Sequence, residues 1–158
     1  MSAANTGKNA RILTTTVGSY PVPDWLVALP SEQAVIDATR VVIDTQEQAG
    51  IDLVCDGELY RFDVNHPETN GMIEYFVRPM SGVRNEIGLA DWLAFRQSPD
   101  HKFRSRPPGV VAGAVGPGSL DLPAASTRAR KLATRPLIFT LPGPPILATI
   151  PPAHPHTR

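Results

Sequence analysis

The chain has 158 residues, 42% of them apolar and 19% charged, and its 15 basic side chains are cancelled by 15 acidic ones. That length and balance fit one globular domain and give no bulk electrostatic reason to bind nucleic acid or an anionic membrane. No apolar run approaches the roughly 20 residues that span a bilayer, and residues 1–11 lack the apolar core of a secretory signal.

A single cysteine, Cys55, excludes an internal disulfide, and a cytoplasmic location is the expectation. Residues 1–10 are small and polar and read as a disordered lead-in. Arg11 to Val17 (R-I-L-T-T-T-V) is rich in β-branched residues and is broken by Gly18-Ser19-Tyr20-Pro21, which predicts a strand and then a loop. Gly18 lets the backbone come close to a ligand, and Ser19 offers a hydroxyl and an N–H at the strand's end. Pro21 to Pro30 holds Trp25 and Leu26 and reads as a short apolar turn packed on the rim.

Ser31 is a good N-cap, and Glu32 in the first turn suits the helix dipole. Val35, Ala38, Val41, Val42 and Thr45 then recur at helical spacing, so a helix of about 18 residues is expected, closed by Ala49-Gly50. Ile51 to Cys55 has the length and composition of a strand buried on both faces. Strand, helix and strand with short links make a βαβ unit, which predicts a parallel sheet with a right-handed crossover. Asp56-Gly57-Glu58 follows at once. In a parallel α/β barrel the C-terminal strand ends form the active-site face, so both carboxylates are candidates there. The plainer alternative is that Asp56 caps the next turn and Glu58 is simply solvated.

Further along, Glu68 to Phe76 reads as a helix weakened by Gly71, and Pro79 to Arg106 as a long irregular excursion with one short helix over Ala90 to Phe95. Lys102, Arg104 and Arg106 suit an anion, although a solvated rim is the favoured reading of so small a cluster. Pro108 to Val115 reads as a third buried strand, Ser126 to Thr134 as a basic helix, and Pro136 to Leu141 as a fourth strand ended by Pro142-Gly143-Pro144. Ile146-Leu147-Ala148 begins a helix that Pro151-Pro152 and Pro155 cannot continue. His154 and His156 flank Pro155, too close for an ordinary helical pair of ligands, and read as tail residues. The expected architecture is α/β, of the (β/α)8 TIM-barrel type, stopping at about four βα units. Residues 1–10 are a lead-in, 11–147 the partial barrel and 148–158 a proline-rich tail foreign to the fold. Two open strand edges would favour self-association.

Three motifs carry a resemblance. They are Thr14-Thr15-Thr16-Val17-Gly18-Ser19-Tyr20-Pro21, Ala49-Gly50-Ile51-Asp52-Leu53-Val54-Cys55-Asp56-Gly57-Glu58 with Arg61, and Phe139-Thr140-Leu141-Pro142-Gly143-Pro144, in that order, each at an expected strand end. They resemble the catalytic C-terminal barrel of cobalamin-independent methionine synthase, and more closely its short single-barrel relatives. The likeness runs from about Ile12 to Leu147 and corresponds to the first half of that barrel. It implies zinc-dependent methyl transfer from a methylated folate to the thiol of homocysteine. It also implies that Gly18, Ser19 and Glu58 grip the polar end of the amino acid, with a carboxylate for the ammonium and a serine hydroxyl or N–H for the carboxylate. Asp56 stands where full-length enzymes often carry histidine, and Arg61 is expected to orient Glu58. Asp56 and Arg61 are thus supporting residues. The family's His-x-Cys, Glu and Cys zinc ligands have no counterparts here, because Cys55 lies inside a strand before the substrate carboxylate. No zinc and no turnover are therefore expected of this polypeptide alone, and a truncated reading frame with a frameshifted tail is the expected reason for both the missing half of the barrel and the prolines after Ile150. The alternatives are an alkyltransferase acting on another thiol, such as coenzyme M, and a non-catalytic half-barrel that self-associates.

Overall fold

The computed structural model of the chain describes residues 12–62, 72–99, 106–148 and 150–152. Strand 11–17 is expected, and what forms is a single parallel bridge between Thr15 and Leu53. Leu53 continues into β1 (Val54–Cys55), which pairs in parallel with the later strand at Leu137–Ile138, Val54 opposite Leu137 and Cys55 opposite Ile138. Three chain segments thus lie side by side in parallel, with the Asp-Gly-Glu segment in the middle. This is the α/β barrel-type arrangement that the βαβ pattern implies.

The crossover between the first two segments has two helices. α1 (Asp24–Ala28) buries Leu26 and leaves Trp25 half exposed, as the rim reading requires. α2 (Glu32–Gln48) starts at Ser31, whose Oγ accepts the Ala34 N–H at 3.0 Å. It ends in a Schellman arrangement around Gly50, at φ 81°, with Ile51 N–H donating to Gln46 O and Gly50 N–H to Glu47 O. Ala38 and Val42 on its inner stripe pack with Leu26 and Leu59. Its last inward residue, Gln46, is buried and uses its amide on a strand. Oε1 accepts the Cys55 N–H at 3.0 Å, Nε2 donates to Cys55 O at 2.9 Å, and Thr16 Oγ1 donates to Oε1 at 2.9 Å.

Between β1 and the third parallel segment the chain makes its excursion. In the described part of the expected helix over 68–76, α3 (Glu74–Val77) is helical, and residues 68–71 lie outside the described residues. β2 (Val83–Arg84) pairs antiparallel with β3 (Val110–Val111), and α4 (Leu89–Gln97) lies between them in sequence. Here the sequence reading needs correction. Residues 108–115 do not add a fourth parallel strand. Pro108 to Val110 are buried where the segment closes a ribbon with the excursion, Val110 fully so, and residues 112–115 are exposed, with Gly82 O accepting the Ala112 N–H at 2.8 Å. Of the basic trio, Lys102 and Arg104 lie outside the described residues.

α5 (Leu122–Arg130) begins four residues before the expected basic helix, because Asp121 caps it (Oδ1 accepting Ala124 N–H at 2.9 Å) and Pro123 suits its first turn. β4 (Leu137–Ile138) then completes the parallel set, and α6 (Pro144–Leu147) is the single turn that the Gly-Pro motif opens. Pro151 O accepts the Val111 N–H at 2.9 Å, so residues 150–152 run along the antiparallel ribbon. His154 and His156 lie outside the described residues. Among the described residues no helix is long and apolar enough to cross a membrane.

Candidate functional site

The three motifs end at one place. Gly18 turns the chain out of the first parallel segment with φ 94°, a conformation that glycine adopts freely. Tyr20 N–H donates to Gly57 O at 3.0 Å, tying this loop to the one after β1. At that second loop two successive residues have positive φ, Gly57 at 74° and Glu58 at 60°. Glycine at 57 is demanded twice over, since a Cβ there would also stand 2.8 Å from Val42 Cγ1. Glu58 is the only non-glycine with positive φ among the described residues. A left-handed glutamate persists only where its surroundings hold it, and such residues concentrate at functional sites.

What holds Glu58 is a ring of donors from both neighbouring segments. Ser19 Oγ donates to Oε2 at 2.8 Å, Thr140 Oγ1 donates to Oε1, and Arg61 Nη1 lies 3.3 Å from Oε1. Arg61 also donates through Nη2 to Thr140 O at 2.7 Å and to Tyr60 Oη at 3.3 Å. Its guanidinium sits among four rings, with Cζ 5.0 Å from the centre of Phe76, 5.5 Å from Tyr60, 5.6 Å from Phe139 and 5.9 Å from Tyr75. The Arg61 side chain is 3% exposed and that of Glu58 10%, while Ser19 and Gly18 are open to solvent. The site is therefore a nearly buried, hydrogen-bonded carboxylate whose open side is the Gly18-Ser19 turn.

Asp56 faces the other way and is buried. Its Oδ2 accepts from Tyr60 Oη at 2.8 Å and its Oδ1 from Glu58 N–H at 3.2 Å. Burial pushes its carboxyl above the usual range, opposed in turn by the Tyr60 hydroxyl, the Glu58 N–H and the charge of Arg61. Burial likewise raises the Tyr60 and Tyr75 phenols. Asp56 thus shapes the turn that carries Glu58 and is not itself presented to solvent.

The sequence-derived residues Gly18, Ser19, Asp56, Glu58 and Arg61 come together in this one cluster. Thr140 joins it and was not singled out, although it lies in the third motif. Its signal was position, one threonine just past the end of an apolar strand beside the strand of Glu58. Zinc fares differently. Among the described residues no three His, Cys, Asp or Glu side chains stand together as a metal site. Cys55 is buried, with Sγ 3.2 Å from Thr16 Oγ1, whose own proton goes to Gln46. The donor set among the described residues does not fit zinc. A cavity of about 410 Å³ lies behind Arg61, lined by Leu26, Leu59, Tyr60, Tyr75 and Leu120 among others, and neither Ser19 nor Glu58 lines it.

Comparison with known proteins agrees with the geometry. No protein-family model matches the chain. The 5-methyltetrahydropteroyltriglutamate–homocysteine methyltransferase of Streptomyces griseus is 32% identical over 143 residues, covering 83% of this chain and 16% of that protein. The methionine synthase of Pyrococcus abyssi is 34% identical over 83 residues, 45% of this chain and 22% of that protein. Among solved structures, a B12-independent methionine synthase from Shewanella sp. W3-18-1, in complex with selenomethionine, superposes with a TM-score of 0.63 at 25% identity, over 92% of this chain and 42% of that one. The chain thus spans about a fifth of the curated relatives and less than half of the structural one. On motif order, strand topology and these matches, the chain is similar, over part of their length, to the B12-independent methionine synthases.

Proposed function

We propose that the Ser19–Glu58–Thr140 corner is the amino-acid-binding part of a homocysteine S-methyltransferase of the cobalamin-independent methionine synthase type, with a methylated folate as the methyl donor. The observation that carries this reading is Glu58. Its carboxylate is held at the junction of three parallel segments by two hydroxyls and a guanidinium, with its open side at the Gly18-Ser19 turn. A carboxylate so placed suits an ammonium group. The Ser19 hydroxyl is already committed to Glu58, so the substrate carboxylate is assigned to the Ser19 main-chain N–H, which the glycine beside it leaves accessible. In this reading the chain contributes recognition of the amino acid, and activation of the thiol is not among the tasks of the described residues.

A sulfonate thiol such as coenzyme M fits less well. It needs a cation where Glu58 stands, and Arg61 is turned to Glu58, to Thr140 O and to four rings. Titrating the purified chain with homocysteine and with 2-mercaptoethanesulfonate, by calorimetry or ligand-observed NMR, tests the assignment. Homocysteine is expected to bind better, and Glu58→Gln to lose about tenfold or more of that affinity. Equal binding of both thiols, or an unaffected Glu58→Gln, would sink it.

One observation favours a second, non-catalytic reading. Val17 is 94% and Leu13 60% exposed on the first parallel segment, whose ladder bridge among the described residues is Thr15 to Leu53, and an apolar edge of that kind pairs with another chain. A sizing column run over a hundredfold concentration range would show an oligomer if this edge self-associates, and a monomer throughout would refute it.

A further inference from the structure

We propose that Thr140 is the positioning residue that keeps the Glu58 carboxylate available to an ammonium ligand, and so sets the preference for an amino-acid thiol over the same thiol without its amine. This rests on the amino-acid-binding reading above.

The geometry points to Thr140 through a competition. Arg61 and Glu58 are both nearly buried, and an unrestrained pair of that kind closes to a charge-assisted hydrogen bond of about 2.7–2.9 Å. Here the nearest approach is 3.3 Å. Two features hold the pair apart. Thr140 O takes Arg61 Nη2 at 2.7 Å, drawing the guanidinium toward the main chain of the third segment. Thr140 Oγ1 donates to Glu58 Oε1, the same oxygen that faces Arg61. A carboxylate only accepts, so the hydroxyl must be the donor. It supplies a neutral hydrogen bond where the guanidinium would otherwise supply a charged one. Glu58 therefore keeps more of its charge for a ligand than a closed ion pair would leave it. Ser19 cannot do this alone, because it holds the opposite oxygen from an exposed turn. Among the described residues the charged and titratable groups near Glu58 are Arg61 and Asp56, with Tyr60 bridging them, and none of these contacts replaces the Thr140 hydroxyl.

Thr140→Val keeps the side-chain shape and deletes the donor, whereas Thr140→Ser restores it. The full chain is titrated with homocysteine and with 4-mercaptobutyrate, which lacks only the amine, and the ratio of the two affinities is the readout. General damage to the fold lowers both affinities together and leaves the ratio unchanged. Thr140→Val is expected to lose about tenfold of the ratio, and Thr140→Ser to recover most of it. An unchanged ratio in Thr140→Val, or no recovery in Thr140→Ser, overturns the proposal. A double-mutant cycle on unfolding, Thr140→Val with Glu58→Gln, checks the contact without any ligand. Non-additivity of about fivefold in the unfolding equilibrium constant is expected, and additivity overturns this proposal while leaving the amino-acid-binding reading intact. A wild-type chain that does not discriminate the two thiols overturns both.

Discussion

Gly57→Ala probes the turn on which the site depends. Two costs apply to the new methyl. An L-residue at φ 74° costs about 1–2 kcal/mol relative to glycine. The Cβ would also stand 2.8 Å from Val42 Cγ1 and 3.2 Å from Cγ2, on a valine packed in the core, and relieving such overpacking costs about 1–3 kcal/mol. Together these predict a loss of about 3 kcal/mol. Gly50→Ala is the internal control. Its φ is 81°, but a Cβ there meets nothing within 4 Å, so only the backbone cost of about 1–2 kcal/mol applies. Urea unfolding of the wild type and both variants, extrapolated to water, measures the two losses. Adding Val42→Ala removes the two methyls that collide, so the Gly57→Ala/Val42→Ala pair should be more stable than the sum of its single effects by about 1 kcal/mol. Equal losses at Gly57 and Gly50, with an additive double variant, would refute the steric account and with it the claim that α2 dictates the residue before Glu58.

Arg61→Lys is expected to be far from conservative. A lysine can replace the charge opposite Glu58 but cannot fork to Thr140 O and Tyr60 Oη from among four rings, so a loss of about 2 kcal/mol in chemical denaturation is expected. A variant as stable as wild type would contradict the role given to the ring cage. Glu47, near the end of α2, reaches across to residues 134 and 135. The Thr134 hydroxyl and then the main-chain N–H groups of Arg135 and Thr134 hold its carboxyl below its ordinary value of 4.5. A lowered carboxyl stabilises the fold above that ordinary value and loses the effect as pH falls through its folded value. Melting curves should therefore show Glu47→Gln less stable than wild type at pH 7 and the gap closing below pH 4.5; a gap independent of pH would show that the three bonds contribute nothing through ionisation.

Much of this was legible in the sequence because local rules were strong. Ser31, Glu32 and Ala49-Gly50 mark α2 to within two residues, since capping and the left-handed glycine act within a few residues of chain. Gly18-Ser19 and Asp56-Gly57-Glu58 were readable as strand-end turns and do meet. Pairing partners were not readable. Val110–Val111 has the same short, apolar look as Val54–Cys55, and only tertiary structure sends one to an antiparallel ribbon and the other to the parallel set. Thr140 escaped for a similar reason. A hydroxyl carries no local signature of a partner 82 residues away, and its role exists only once β4 lies beside β1. α5 starts ahead of its basic run because Asp121 and Pro123, and not the charges of Arg128 and Arg130, decide where the helix begins.

Gln46 sets the length of the first parallel segment from outside the sheet. Its side-chain amide presents to Cys55 the same donor and acceptor that one more peptide of that segment would present, and it takes up the Thr16 hydroxyl as well. The sheet is told to stop there by a surrogate peptide on a helix. From Val17 onward the chain has no ladder to follow, and Gly18 and Ser19 are free to swing over the end of β1 and reach Glu58. A helix residue about four turns from its own N-terminal cap thereby decides which residues of a neighbouring strand are scaffold and which are available for binding.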